Sequence, residues 1–339
     1  MVAAVALLML IGAIAAAVFV AWSGYTNKDD IPQQPVSVHI DEGMTASQIA
    51  DLLEDKKVIK SAFVFRMAVK KEGVGADFKP GDYELKTGMD YDAVIKVLVK
   101  GPPIKYVDIT IPEGWTAKQI AARVESSIGI SKDDYLQVVR EGRLLVEYPF
   151  LKNNGAPTRD LEGYLCPETY KVEKDVTAEE FVNTQLAQFQ EKTGNLNWQV
   201  AQARGRTPYE ILIIASMIER ETMVADERPI VSAVIYNRLA KGMPLQIDAT
   251  VQYALPQWKD RLTYEDLKID SPYNTYKYKG LPPGPICNPS ASSVEAALNP
   301  TDDDYLYYVL AGDNSGRHVF SKTYNEHINA KNQYKANQR

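Results

Sequence analysis

Histidine and cysteine are scarce in this chain. The three histidines, His39, His318 and His327, stand far apart and match no zinc-ligand spacing. They read as surface residues of strands or helices, and neither a metal nor a cofactor is expected. The two cysteines, Cys166 and Cys287, are too few for a disulfide framework; they either pair in an oxidising compartment or remain buried thiols. None lies near residue 22, so lipoprotein processing has no acceptor. A basic cluster is also missing. Lys and Arg number 38 against 44 Asp and Glu, a net charge of -6, and nucleic-acid binding needs concentrated cations to neutralise phosphates.

What is present begins with one long apolar run. Val2 to Trp22 carries no charge, and at about 1.5 Å per residue it spans roughly the 30 Å hydrocarbon core of a bilayer. A secretory signal has a shorter apolar core and a charged start, so this run reads as a retained anchor (1–23). No charged residue precedes it, so the positive-inside rule is not well satisfied, which points to a start lacking a basic cytoplasmic lead. Residues 24–35, with Asn27-Lys28-Asp29-Asp30 and Pro32, read as a polar linker.

Beyond the linker the chain repeats itself. Ile40-Asp41-Glu42-Gly43-Met44-Thr45-Ala46-Ser47-Gln48-Ile49-Ala50 matches Ile111-Pro112-Glu113-Gly114-Trp115-Thr116-Ala117-Lys118-Gln119-Ile120-Ala121 at eight of eleven positions, with an offset of 71. In each copy an alternating run (Val36 to Ile40, Val107 to Ile111) predicts a strand, Glu-Gly a turn, and Thr45 with Gln48 or Thr116 with Gln119 a capping box that starts a helix. Such a strand-turn-helix unit resembles the LysM domain, which implies binding to N-acetylglucosamine-containing glycans; a folded spacer that binds nothing fits the pattern equally. The first copy is completed by a returning strand at Lys79 to Leu85 and a helix over Tyr91 to Val99, giving a module over 36–102 bounded by Gly101-Pro102-Pro103. A second strand-turn-helix module is expected over 103–160. Trp115 serves either as a stacking platform or as a small-core plug.

The most informative residue is Glu219. Thr207-Pro208-Tyr209-Glu210 is a capping box with proline at the first helical position, and Ile211 to Ile218 has only Ser216 as a polar residue. A helix buried on most faces therefore ends in Glu219, Arg220, Glu221 and Thr222. Desolvation and the negative end of the helix dipole both disfavour an ionised carboxylate there, which is what a general acid requires, while Arg220 opposes them. A second helix is predicted from Asp226-Glu227-Arg228-Pro229 to a stop at Gly242. The proline-fixed loop Gly280-Leu281-Pro282-Pro283-Gly284-Pro285, with the tyrosine-rich Ser271 to Tyr276 before it, suits the wall of a sugar groove.

The strings Ala215-Ser216-Met217-Ile218-Glu219-Arg220-Glu221-Thr222, Val234-Ile235-Tyr236-Asn237-Arg238-Leu239, Leu245-Gln246-Ile247-Asp248-Ala249-Thr250-Val251, Tyr273-Asn274-Thr275-Tyr276 and Gly280 to Ile286, with Leu161 to Tyr170 upstream, resemble in this order the endolytic murein transglycosylases of the YceG-like family. The likeness runs from about Leu161 to the C-terminus and departs from the family pattern at Cys166, Met217 and Cys287. It implies that Glu219 is the catalytic acid and base in a cut of MurNAc–GlcNAc bonds within peptidoglycan strands, leaving 1,6-anhydro ends. It further implies a role in ending glycan polymerisation beside peptidoglycan synthases, in a single-pass protein of the bacterial cytoplasmic membrane with its catalytic domain outside.

Motif position makes Asn237, Gln246, Asp248, Asn274 and Tyr276 the candidates for substrate contact. Asn237 either touches sugar or bridges helices, and Asp248 either touches sugar or fixes a turn. Hydrolysis needs a second carboxylate, for which Glu221, Glu227 and Asp248 are the rivals. Glu221 would face away from Glu219 by roughly 200 degrees and anchor the turn or hold Arg228. A muramidase using Asp248, and a glycan-binding scaffold without activity, remain the alternatives. The catalytic domain (161–339) is expected to close with a capping box at Ser292 to Glu295, a buried strand over Tyr305 to Val309 paired with Arg317 to Ser321, and a helix from Tyr324. The fold class is α+β, with a helical core around Glu219, a small antiparallel sheet beside it, and the sugar groove between them.

Overall fold

The computed structural model describes residues 32–142, 148, 151 and 154–337. The anchor expected at 1–23 and most of the linker lie outside these. Among the described residues no helix is long and apolar enough to cross a membrane. The chain divides into two compact units, Met1–Lys105 and Tyr106–Arg339.

In the first unit, β1 (Pro35–Ile40) pairs antiparallel with β2 (Gly81–Lys86), Val38 opposite Tyr83. Alternation places Val38 and Ile40 inside and Ser37 and His39 outside, where the exposed His39 meets Asp82 at 2.7 Å. Between the strands run α1 (Ala46–Asp55), opened by the complete Thr45–Gln48 capping box, and α2 (Ala62–Glu72), capped by Ser61. After β2 comes α3 (Tyr91–Lys100). Ile49, Leu53, Phe65, Tyr83, Val94 and Leu98 form the core.

The second unit opens with the repeat. β3 (Tyr106–Ile111) leads through the Thr116–Gln119 capping box into α4 (Ala117–Ile128), then α5 (Lys132–Glu141). The returning strand of this copy is β4 (Glu168–Glu173), antiparallel to β3. The expected limit at 160 is thus crossed by a strand ladder, and 103–160 shares one core with the residues that follow. The two return strands correspond in detail. The Tyr83 hydroxyl donates to Lys79 O at 2.6 Å and the Tyr170 hydroxyl to Cys166 O, each with proline three residues before the tyrosine.

α6 (Ala178–Thr193) and the short α7 (Gln199–Ala203) precede α8 (Pro208–Glu221), whose capping box is complete: Glu210 N donates to Thr207 Oγ1 and Thr207 N to Glu210 Oε2. Ile211 to Ile218 are all buried. They are enclosed by α9 (Arg228–Ala240), α10 (Asp248–Ala254) and α11 (Ala291–Leu298). The cap of α11 is Ser290, not Ser292. Two overlapping Ser-x-x spacings compete here, and the helix starts at the first serine with extended backbone after Pro289. β5 (Tyr307–Leu310) and β6 (His318–Ser321) form a hairpin against α12 (Tyr324–Asn337). The strand expected to be buried there is only partly so, because a two-stranded ribbon leaves one face open.

Asn288 joins segments far apart in sequence. Its Oδ1 accepts from Gly163 N and Leu165 N at 2.8 and 2.9 Å, while Nδ2 donates to Trp115 O and Glu162 Oε1 at 3.0 and 2.7 Å. Asn288→Ala leaves these groups buried without partners, and a loss of about 3 kcal/mol in urea unfolding is expected. A loss under about 1 kcal/mol would show that water replaces the amide.

Candidate active site

From Ile211 to Ile218 α8 is buried on all sides, and in its last turn three consecutive polar residues emerge about 100° apart around the axis. Each has found a different neighbour. Glu219 Oε2 accepts from Ser290 N at 3.0 Å and from Ser290 Oγ at 2.6 Å, so the carboxylate sits at the start of α11, where the helix dipole is positive. Arg220 donates to Gly114 O at 3.1 Å and lies 4.5 Å over the Trp258 ring. Glu221 accepts from the Tyr308 hydroxyl of β5 at 2.8 Å.

Gly114 supports this end of the helix. Its φ is +72°, and a Cβ there would lie 3.5 Å from both Glu219 Cγ and Arg220 Cδ. The Glu-Gly turn of the second repeat therefore packs on the end of α8. Gly163 plays a similar part for the proline loop, since a Cβ there would stand 2.6 Å from Pro285 Cγ.

The three rival carboxylates differ sharply. Glu227 is buried and accepts from His318 N and Nδ1 at 3.0 and 2.8 Å, tying the start of α9 to β6. His318 was expected on the surface; its side chain is buried because this carboxylate requires it. Glu221 holds Tyr308 and not Arg228, and burial pushes its carboxyl up to about 7, with the Asp248 charge adding to the shift. Asp248 is exposed at the start of α10 and accepts from the Tyr276 hydroxyl.

Of the five candidates for substrate contact, three come together. Gln246, exposed and at φ +56°, precedes Asp248, which bonds Tyr276. The other two amides are used internally. Asn237 Nδ2 donates to Asp303 O and Tyr305 O at 2.8 and 3.0 Å, fastening α9 to the approach of β5. Asn274 is fully buried, donating to Leu267 O and Ile269 O and accepting from Tyr276 N at 3.0 Å. The bridge that Asn237 makes is to this strand approach and not between the two helices.

Several residues escaped sequence reasoning. Ser290 is passed over when the capping box is read two residues later, at Ser292 to Glu295. Glu162, in the stretch Leu161 to Tyr170, had no role assigned from the sequence; it is buried, accepts from Ala117 N at the start of α4 and from Asn288 Nδ2, and burial pushes its carboxyl up to about 8. Cys166 and Cys287 are both free and buried. Among the described residues no group of three or more His, Cys, Asp or Glu is arranged to hold a metal.

The model of the YceG-like family matches residues 38–333. The endolytic murein transglycosylase of Bacillus subtilis is 38% identical over 308 residues, covering 88% of this chain and 84% of that protein. That of Streptococcus pneumoniae R6 is 33% identical over 300 residues, and the match covers 81% of this chain but only 54% of that longer protein. The crystal structure of a YceG-like protein from Listeria monocytogenes has a TM-score of 0.59 at 37% identity, covering 88% of this chain and 99% of that one.

Glu162 and Glu221 both hold a proton more tightly when folded than their ordinary value of 4.5. The folded state thus binds more protons than the unfolded one between 4.5 and about 7 for Glu221, or about 8 for Glu162. Stability from these groups falls as pH rises through that window and levels off above it. Glu162→Gln should flatten the decline of the urea midpoint between about pH 5 and pH 8. Parallel declines in the two proteins would refute the assignment.

Proposed function

The chain belongs to the YceG-like family, and we propose that it is an endolytic lytic transglycosylase that cuts MurNAc–GlcNAc bonds within peptidoglycan strands. Glu219 is its acid and base. It protonates the glycosidic oxygen as the C1–O bond breaks, then takes the proton from the C6 hydroxyl of MurNAc, whose oxygen closes onto C1 to give a 1,6-anhydro end. One carboxylate serves both steps, whereas hydrolysis requires a second one to activate water or act as nucleophile.

The observation that carries this reading is the setting of Glu219: partly buried at the end of a rigid helix, with one oxygen held by both donors of Ser290. Fixed geometry of this kind keeps a carboxylate aimed at one bond. Gln246, Asp248 and Tyr276 would contact the sugars, while Asn237 and Asn274 shape the walls that carry them. The order strand, helix, helix, strand over Pro35–Lys86 supports a LysM-like glycan-binding module in the first unit. Anchoring through residues 1–23 would hold the enzyme on the outer face of the bacterial cytoplasmic membrane, where strands are still being made, and endolytic cuts there would end polymerisation beside the synthases.

Glu219→Gln should lower the rate by about 10²–10⁴. The check is mass spectrometry of purified peptidoglycan treated with each full-length protein. Anhydro-ended muropeptides from the wild type alone are expected. Reducing ends would replace this mechanism with hydrolysis through Asp248, and no cleavage by either protein would leave a glycan-binding scaffold.

A further inference from the structure

A cavity of about 220 Å³ lies beside the end of α8, with Lys118 and Gln119 at the start of α4, Glu162, Arg220, Gln252 of α10, and Trp258 among its lining residues. Glu219 turns toward Ser290, whereas Arg220, one residue on and so about 100° further round the helix, turns toward Trp258. The cavity is therefore one step round α8 from the acid. A substituent of the reacting sugar would arrive there, while the glycosidic oxygen stays at Glu219.

The charge of the cavity selects that substituent. Lys118 and Arg220 are its two cations, and among the described residues neither forms an ion pair with a carboxylate. The only carboxyl among the lining residues is Glu162, whose oxygens already accept from Ala117 N, the Asn288 amide and the Tyr253 hydroxyl. Trp258 adds an apolar wall that is 53% exposed. The sugar rings of peptidoglycan are uncharged. The lactyl arm on C3 of MurNAc ends in a carboxyl group, which is either free or amide-linked to a stem peptide that bears carboxylates of its own.

Resting on the peptidoglycan-cleaving reading, we propose that this cavity binds a carboxylate carried on the lactyl arm of the MurNAc at the cut, through Lys118 and Arg220, with Trp258 packed along the arm. The site would then read the decoration of the strand in addition to its sugars. Arg220 is the link, since the same residue props Gly114 against Glu219.

The test is a binding titration of the full-length chain carrying Glu219→Gln, so that the ligand survives. Soluble glycan oligosaccharides are used in three forms: with stem peptides, without stems but with free lactyl carboxyls, and with every carboxyl converted to a methylamide. Neutralising the carboxyls should weaken binding about threefold to tenfold. Lys118→Gln should weaken the charged forms by a similar factor and leave the neutral form unchanged, and Trp258→Ala should weaken all three. Tighter binding of the stem-bearing form assigns the carboxylate to the peptide, and tighter binding of the stem-free form to the lactyl group. Equal binding of charged and neutral strands, or an equal loss on both from Lys118→Gln, overturns the proposal. Failure to bind any strand overturns it too, and cleavage by the wild-type chain, measured alongside, shows whether the catalytic reading falls with it.

Discussion

The burial of α8 from Ile211 to Ile218 governs much of the second unit. Eight successive residues from Ile211 to Ile218 are shielded from water, so helices must close on every side of the axis and an amphipathic arrangement is not available. Ser216, the one polar residue in that stretch, is satisfied twice: its hydroxyl donates to Ile213 O and accepts from Ile286 N, which docks the proline loop onto the helix. At the last turn the same enclosure means that Glu219, Arg220 and Glu221 each meet protein. Their partners, Ser290, Gly114 with Trp258, and Tyr308, come from four separate parts of the sequence. The helix end thus organises the segments around it.

Features that rest on short-range rules are legible in the order of residues alone. The capping boxes at Thr45, Thr116 and Thr207 need only a hydroxyl and a carboxyl or amide three residues on, and all three form. What stays hidden depends on contacts across long separations. Asn237 and Asn274 hold motif positions that suit sugar contact, yet their amides serve backbone carbonyls, at Asp303 and Tyr305 for one and at Leu267 and Ile269 for the other. Nothing local distinguishes an asparagine that faces a ligand from one that closes a loop. His318 is similar, since its burial follows from Glu227, 91 positions away.

The repeat shows how one pattern was used twice. The first strands and helices of the two copies begin 71 positions apart (35 to 106 and 46 to 117), but the return strands begin 87 apart (81 to 168), so 87 − 71 = 16 residues have been added before β4. The longer segment in the second copy includes Glu162, Gly163 and Leu165, which tie the module to Asn288 and, through Gly163, to Pro285. In the first copy a Cβ at Gly43 would meet nothing within 4 Å, whereas one at Gly114 would touch Glu219 and Arg220. The same turn is open in one unit and wired into the site in the other, which is why 103–160 looks separable in sequence and is not.

The choice between a lyase and a hydrolase narrows to one residue. A second carboxylate must be able to activate water or attack the sugar. Glu227 is committed to His318 and buried, and Glu221 is held by Tyr308 in a setting that favours its neutral form. Asp248 alone is exposed, and it accepts a hydrogen bond from the Tyr276 hydroxyl. A carboxylate has about four lone-pair sites, so that one bond leaves room for a water to be activated, and equally for sugar hydroxyls to donate. The lyase route asks nothing of Asp248 beyond such contact, because the nucleophile belongs to the substrate and the proton returns to Glu219. In the proposed single-carboxylate cycle the fixed placement of Glu219 by Ser290 would serve directly, since the same oxygen environment would have to suit both the proton given and the proton taken.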